Sequence, residues 1–300
     1  MSQFIGRNNE LDQLGSLLGK SSSSMVVIRG RRRIGKSRLI EEFAKRNKIK
    51  MYSFSGIPPE KGMVWQDQLD EFSSDMKRYF DVSANYSNWG EAFAGLAEKT
   101  FSGKVLILFD EISWMANDSP AMLGKLKNAW DRLLKKNDQL ILVLCGSVSS
   151  WIKKNIINSK GFYGRISLKL RLRELPLDVC RQFWGEESHY ISAQEKLKIL
   201  SVTGGVPKYL EEVDPKCSAE ENIKRLCFSE SGILFNDFNH IFTSTLERQS
   251  NFYRAIVVAL TNANAEQTNL LRELNVKSGG QVSEYIDELI DAGFIERHYT

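Results

Sequence analysis

Gly30-Arg31-Arg32-Arg33-Ile34-Gly35-Lys36-Ser37 satisfies the spacing G-x-x-x-x-G-K-[ST]. Residues of these types at this spacing bind a polyphosphate. The glycines let the chain bend until successive backbone N–H groups face one anion, and a helix starting near Lys36 adds its partial positive end. Lys36 is expected to reach the β- and γ-phosphates, and the Ser37 hydroxyl to ligate magnesium. The nucleotide-facing stretch is expected to continue to Arg38.

A second set of groups follows the apolar run Val105 to Phe109, which ends in Asp110 and Glu111. Adjacent acids at the carboxyl end of a buried strand stand where open α/β sheets bind ligands. Asp110 is expected to hold magnesium through water, and Glu111 to polarise an attacking water as general base. The alternative use of such a pair is to cap the next helix, since acids favour helix amino termini. A third run, Leu140 to Leu144, ends in Cys145-Gly146-Ser147. Ser147 either senses the γ-phosphate and positions water or caps a helix starting at Ser149.

These groups need a scaffold that brings strand ends together. Val26 to Ile28, Lys50 to Phe54, Val105 to Phe109, Leu140 to Cys145 and the alternating Ile166 to Leu172 read as strands. Helical patterns run from Val64 to Tyr79, Trp89 to Phe101 and Pro120 to Lys135. Strands separated by helices predict an α/β fold, a parallel sheet covered on both faces. After Leu175-Pro176 the chain reads as short helices, around Asp178 to Trp184, Ala193 to Val202 and Lys208 to Val213. From Phe252 come three helical patterns, Tyr253 to Leu260, Glu266 to Leu274 and Gly280 to Ala292, and then an extended Phe294 to Tyr299 that reads as a wing strand. The expected organisation is a nucleotide-binding core over 1–175, a helical lid over 176–250 and a winged helix over 251–300.

With these residues in place the chain resembles the AAA+ and STAND class of P-loop ATPases, in particular the archaeal-type ATPase family. Besides the two Walker motifs, the resemblance rests on Phe4-Ile5-Gly6-Arg7, Cys145-Gly146-Ser147, Tyr163-Gly164-Arg165 and Gly204-Gly205-Val206-Pro207-Lys208-Tyr209-Leu210, in that order. It implies a P-loop NTPase sheet followed by a lid and a winged helix, with ATP or ADP and Mg2+ as ligands. It also implies that Ile5, Gly6 and Arg7 line one side of the adenine and Pro207 the other. A surface turn and a proline at the first helical position are the plain alternatives for these residues. Arg31, Arg32 and Arg33 depart from the Gly, Pro and Thr common at these positions in AAA+ proteins, although a basic loop is compatible with the archaeal-type relatives. Members of the family often continue past the winged helix, so natural length and truncation stay open.

Charge placement narrows the partner. The formal net charge is only +4, too mild to indicate a nucleic-acid partner by itself. Lys153, Lys154, Lys160, Arg165, Lys169, Arg171 and Arg173 lie together with no acid among them. Three readings stand: Arg165 as a transition-state arginine in cis or in trans, a groove following a nucleic-acid backbone, or a solvated strand edge protected by charge. Residues 266–300 hold three basic and seven acidic residues, net −4, so the rest of the chain carries about +8. Glu284, Asp287, Glu288 and Asp291 lie on the helix that would read DNA, and they would repel phosphates. DNA is therefore disfavoured through the winged helix, and a protein partner or self-association is expected.

The four cysteines and three histidines show neither zinc-ligand spacing nor a disulfide framework. No signal-peptide pattern or bilayer-length apolar run occurs, so no membrane role and a cytoplasmic setting are expected. The reading that gathers these observations is an ATP-hydrolysing molecular switch, slow without a partner. The alternatives are a nucleic-acid-handling ATPase of the origin-recognition type and a P-loop phosphotransferase.

Overall fold

The computed structural model describes the chain except residues 1–2, 61, 83–84, 118, 148, 190, 236, 238–249, 263–265, 276–279 and 299–300. Its centre is a five-stranded, all-parallel sheet in the order β2-β3-β4-β1-β5. The strands are β1 (Ser24–Arg29), β2 (Lys50–Ser55), β3 (Val105–Asp110), β4 (Leu140–Gly146) and β5 (Ile166–Arg171). β1 to β4 contain the corresponding apolar runs, and β5 stops one residue short of Leu172. The three inner strands are buried almost throughout because both faces are covered.

Alternation sorts each strand's side chains onto opposite faces. Val26, Ile28, Leu106, Leu108, Ile141 and Val143 point to one side, where they meet Leu14 of α1 (Asn8–Gly15) and Leu39, Ile40 and Phe43 of α2 (Lys36–Arg46). Val27, Phe54, Ile107, Phe109 and Leu142 point to the other, against α3 (Trp65–Phe80), α4 (Trp89–Lys99) and α6 (Pro120–Arg132), with α5 (Ile112–Met115) between β3 and α6. Phe54 and Phe72 stack at 4.6 Å, and Phe93 and Phe109 lie 5.8 Å apart. Helix α4 starts where the Asn88 side chain accepts from Gly90 and Glu91 N–H groups at 2.9 and 3.2 Å. It ends at Lys99, and Phe101, read as its last apolar residue, is 72% exposed.

After α7 (Ser149–Ile152) and β5, the helices α8 (Leu177–Cys180), α9 (Ala193–Thr203), α10 (Pro207–Leu210) and α11 (Ala219–Ile223) close over a separate core of Leu175, Cys180, Trp184, Ile199 and Leu210. The last three helices, α12 (Ser250–Asn262), α13 (Gln267–Glu273) and α14 (Gly280–Ala292), share a core built on Tyr253, Ile256, Leu271, Ile286 and Leu289. The expected wing strand is not formed among the described residues. Gly293 N–H bonds to Ile290 O at 3.1 Å and Phe294 N–H to Leu289 O at 2.9 Å, with Gly293 left-handed at φ 79°. This glycine-capped helix end turns the chain before it can extend, and an isolated strand has no ladder to complete. Tyr299 and the side chains of Glu284 and Asp291 lie outside the described residues.

Candidate functional site

The loop between β1 and α2 is shaped by close approach. A Cβ at Gly30 would stand 2.6 Å from Leu172 O, so only glycine lets the loop leave the sheet against the end of β5. Gly35, at φ 90°, takes the left-handed conformation that starts α2, and Arg33 takes it at φ 66° against the ordinary preference of a non-glycine residue. No side chain caps the first turn of α2, which leaves its N–H groups to an anion. Lys36 is 6% exposed and lies back across the loop, donating to Gly30 O at 3.0 Å and Arg31 O at 3.1 Å.

The acidic pair meets this loop directly. Ser37 Oγ donates to Asp110 Oδ2 at 2.5 Å, and Asp110 Oδ1 accepts from Glu111 N–H at 3.0 Å. A hydroxyl and a carboxylate side by side are hard oxygen donors of the kind magnesium takes, with water and phosphate completing its octahedron. The donor set therefore fits that ion. Glu111 occupies the left-handed region at φ 47° and opens α5. Its Oε2 accepts from Ser147 N–H at 3.0 Å and Ser147 Oγ at 2.9 Å, while Ser147 itself is 2% exposed. The Ser147 hydroxyl proton is thus committed to Glu111 and holds that carboxylate in place.

A cleft of about 630 Å³ opens here, within the size range of small-molecule sites. Arg32, Arg33, Gly35, Lys36, Ser37, Arg38, Glu41 and Glu111 line it from the core, and Pro207, Lys208, Glu211 and Asp237 from the helices that follow. The ring of Pro207 lies 3.9 Å from where a Gly35 Cβ would be. Ile5, Gly6 and Arg7 are not among the lining residues. Gly6 sits against Val179 and Leu175, since a Cβ there would be 2.8 Å from Val179 Cγ1. Arg7 is 9% exposed and donates to Ile34 O at 3.1 Å, Arg173 O at 2.6 Å and Glu10 Oε1 at 3.2 Å. Burial lowers its pKa, with Glu10 opposing the shift. Arg7 thus ties the phosphate loop to the end of the core from behind.

Arg165 is likewise elsewhere. Its Nε and Nη2 both bond Asp131 of α6 at 2.8 Å, and this fork holds the Asp131 carboxyl well below the usual carboxylate range. Arg171, from the same basic stretch, donates to Ile290 O of α14 at 2.9 Å. Sequence reasoning missed Glu41, Lys208, Glu211 and Asp237. Glu211 stands one helical turn after Pro207, a spacing that could have found it; no local pattern marks Asp237.

The loop arginines divide among different surroundings. Arg31 pairs with Glu174 at 2.7 Å and lies over the rings of Tyr209 at 6.0 Å and Phe294 at 5.7 Å. Arg33 pairs with Asp237 at 2.7 Å and lies 5.7 Å from the Tyr209 ring. The Tyr209 hydroxyl donates to Asp237, and burial together with that bond pushes its pKa up to about 12. Arg32 lies 5.6 Å over the ring of Trp114.

An uncharacterized protein of Methanocaldococcus jannaschii is 24% identical over 98% of this chain, which spans 62% of that relative's length. The Walker-type ATPase of Pyrococcus abyssi shares the fold with a TM-score of 0.68, at 17% identity, covering 96% of this chain and 90% of the other. The ORC2 protein of Aeropyrum pernix shares it at 0.54 and 15% identity, covering 97% and 87%. Residues 4–213 match the sequence profile of the ATPase domain predominantly from Archaea, and the chain, with its phosphate loop and acidic strand end in contact across a P-loop NTPase sheet, belongs to that family.

Proposed function

We propose that the chain is an ATP-hydrolysing molecular switch, in which nucleotide state sets how the lid, 176–250, and the winged helix, 251–300, sit on the core, 1–175. The observation that carries this reading is the set of contacts made by Arg31 and Arg33. Both belong to the phosphate loop; Arg31 is held by Glu174 after β5, by Tyr209 of α10 and by Phe294 after α14, and Arg33 by Asp237 and Tyr209. A triphosphate entering that loop brings negative charge beside the same guanidinium groups and competes with those partners. That is the differential contact between states that a ligand must have to shift an equilibrium.

The residues divide the work of hydrolysis. Loop N–H groups and the Lys36 ammonium bind the β- and γ-phosphates, and Pro207 packs beside the loop on the lid side. Ser37 and Asp110 would hold magnesium, which when bound would supply charge neutralisation at the phosphates. Glu111 accepts the proton of the attacking water through the oxygen that Ser147 leaves open, Oε1. Ser147 fixes the carboxylate rather than touching the phosphate. A partner is proposed to be protein, the same chain included, because the basic stretch spends Arg165 and Arg171 on internal bonds.

ATP turnover and small-angle scattering in ADP and in a slowly hydrolysed ATP analogue test the proposal together. Lys36→Ala is expected to abolish ATP binding. Glu111→Gln is expected to keep binding and lose about 10²- to 10⁴-fold in kcat, because the amide keeps the shape and removes the base. Equal loss of binding in both variants, or identical scattering in both nucleotides, refutes the assignment.

A further inference from the structure

A loop that binds a polyphosphate does so with cations and backbone N–H groups, so an anion bonded to that loop works against the ligand. Asp237 is such an anion. It lines the cleft together with Arg33, Lys36 and Ser37, is 4% exposed, and its Oδ1 pairs with Arg33 Nη1 at 2.7 Å. The Tyr209 hydroxyl of α10 donates to Oδ2 of the same carboxylate, so both of its oxygens are engaged. Arg33 also lies over the Tyr209 ring, and its backbone keeps a left-handed φ of 66°, which a non-glycine residue holds where its surroundings fix it. Two other acids of the cleft are arranged differently. Glu111 is held by Ser147 and Glu211 lies 3.8 Å from Lys208, whereas Asp237 is bonded to the phosphate loop itself.

We propose that Asp237 is an intramolecular competitor of ATP: its carboxylate takes the place of a phosphate on Arg33, and ATP enters as Asp237 leaves. This rests on the ATP-binding reading above and adds how that site is regulated. A triphosphate beside a buried carboxylate sets like charges close together where water screens them little. Arg33 relieves that repulsion by changing partner, from Asp237 to phosphate, and the Tyr209 hydroxyl then loses its acceptor, which loosens α10 over the loop. The apparent affinity for ATP is scaled by the fraction of chains in which Asp237 has left Arg33. Removing the Asp237 charge therefore strengthens nucleotide binding, the opposite of what the loss of a ligand-contacting side chain does.

The test titrates the full chain with a slowly hydrolysed ATP analogue in the presence of magnesium and follows thermal unfolding of each variant. Asp237→Asn keeps the shape, removes the charge and is expected to bind about 10- to 100-fold more tightly than the unsubstituted protein. Tyr209→Phe keeps the ring, removes the hydroxyl that steadies the carboxylate and is expected to bind about three- to tenfold more tightly. Arg33→Ala removes the group for which carboxylate and phosphate compete, so adding Asp237→Asn to it is expected to gain at most about fivefold, a coupling read by the double-mutant cycle. Glu211→Gln takes an equal charge from the cleft without touching the loop and is likewise expected to gain at most about fivefold. Equal or weaker binding by a folded Asp237→Asn, an undiminished gain in the Arg33→Ala background, or the same gain from Glu211→Gln overturns the inference and leaves the ATP reading intact. Should Asp237→Asn prove unfolded by its melting curve, Tyr209→Phe decides: tighter binding supports the inference, and equal or weaker binding overturns it. Failure of the unsubstituted protein and of every variant to bind the analogue overturns the ATP reading and this inference with it.

Discussion

Ser147 illustrates how much a single hydroxyl's position decides. As a residue after an apolar run it can cap a helix or face a phosphate; folded, it lies on Glu111 through both its N–H and its Oγ. A hydrogen bond to a charged group is worth about 1.5–3 kcal/mol, or about tenfold to a hundredfold in rate. Ser147→Ala is therefore expected to lower kcat by that factor with ATP affinity unchanged, because the carboxylate loses its fixed direction while the phosphate contacts stay. A change confined to KM would instead move Ser147 to the substrate. Lys36, Ser37, Asp110 and Glu111 were legible as residues because their types at those spacings serve few other purposes. Arg7 was legible only as part of a resemblance. Its bonds to Ile34 O and Arg173 O join positions remote in the chain, and no local pattern encodes such a pair.

The elements themselves were largely written in the apolar pattern. All five strands were found, since a strand buried on both faces is an unbroken apolar run between breakers. Helix ends were less legible: α4 stops two residues before Phe101, and α14 ends in a glycine turn where extension was expected. At this scale the contact that matters is β1 leaving the sheet beside the end of β5. Gly30→Ala would place a methyl 2.6 Å from Leu172 O, and forced overpacking costs about 1–3 kcal/mol. Thermal unfolding is expected to show that loss together with weakened ATP binding. Gly15→Ala, with open space around its Cβ, is expected to be neutral or stabilising by up to about 1 kcal/mol. Equal effects of the two substitutions would mean that the loop tolerates displacement.

Across the whole molecule, the loop arginines touch groups that belong to different parts of the chain. Arg31 reaches Glu174, Tyr209 and Phe294, so it touches the stretch after β5, helix α10 and the chain after α14 at once. Partly exposed ion pairs and cation–π contacts are each worth about 0.5–1 kcal/mol. Arg31→Ala is expected to raise amide exchange in α14 by about five- to thirtyfold, with exchange in β1, β3 and β4 unaltered. An unchanged α14 would show that Arg171 and its bond to Ile290 O suffice to hold the last helices. Among the described residues no helix is long and apolar enough to cross a membrane.

The amino-acid sequence alone determined the sheet, the phosphate loop and the acidic strand end, because each is fixed by residues adjacent in the chain and by the period of its apolar pattern. Tertiary structure alone decided where the arginines act. Three identical neighbours, Arg31, Arg32 and Arg33, meet Glu174, Trp114 and Asp237, and Arg165 meets Asp131. A long cation goes to whichever anion or ring the fold brings within reach, and that reach spans up to hundreds of residues of chain that no local spacing records.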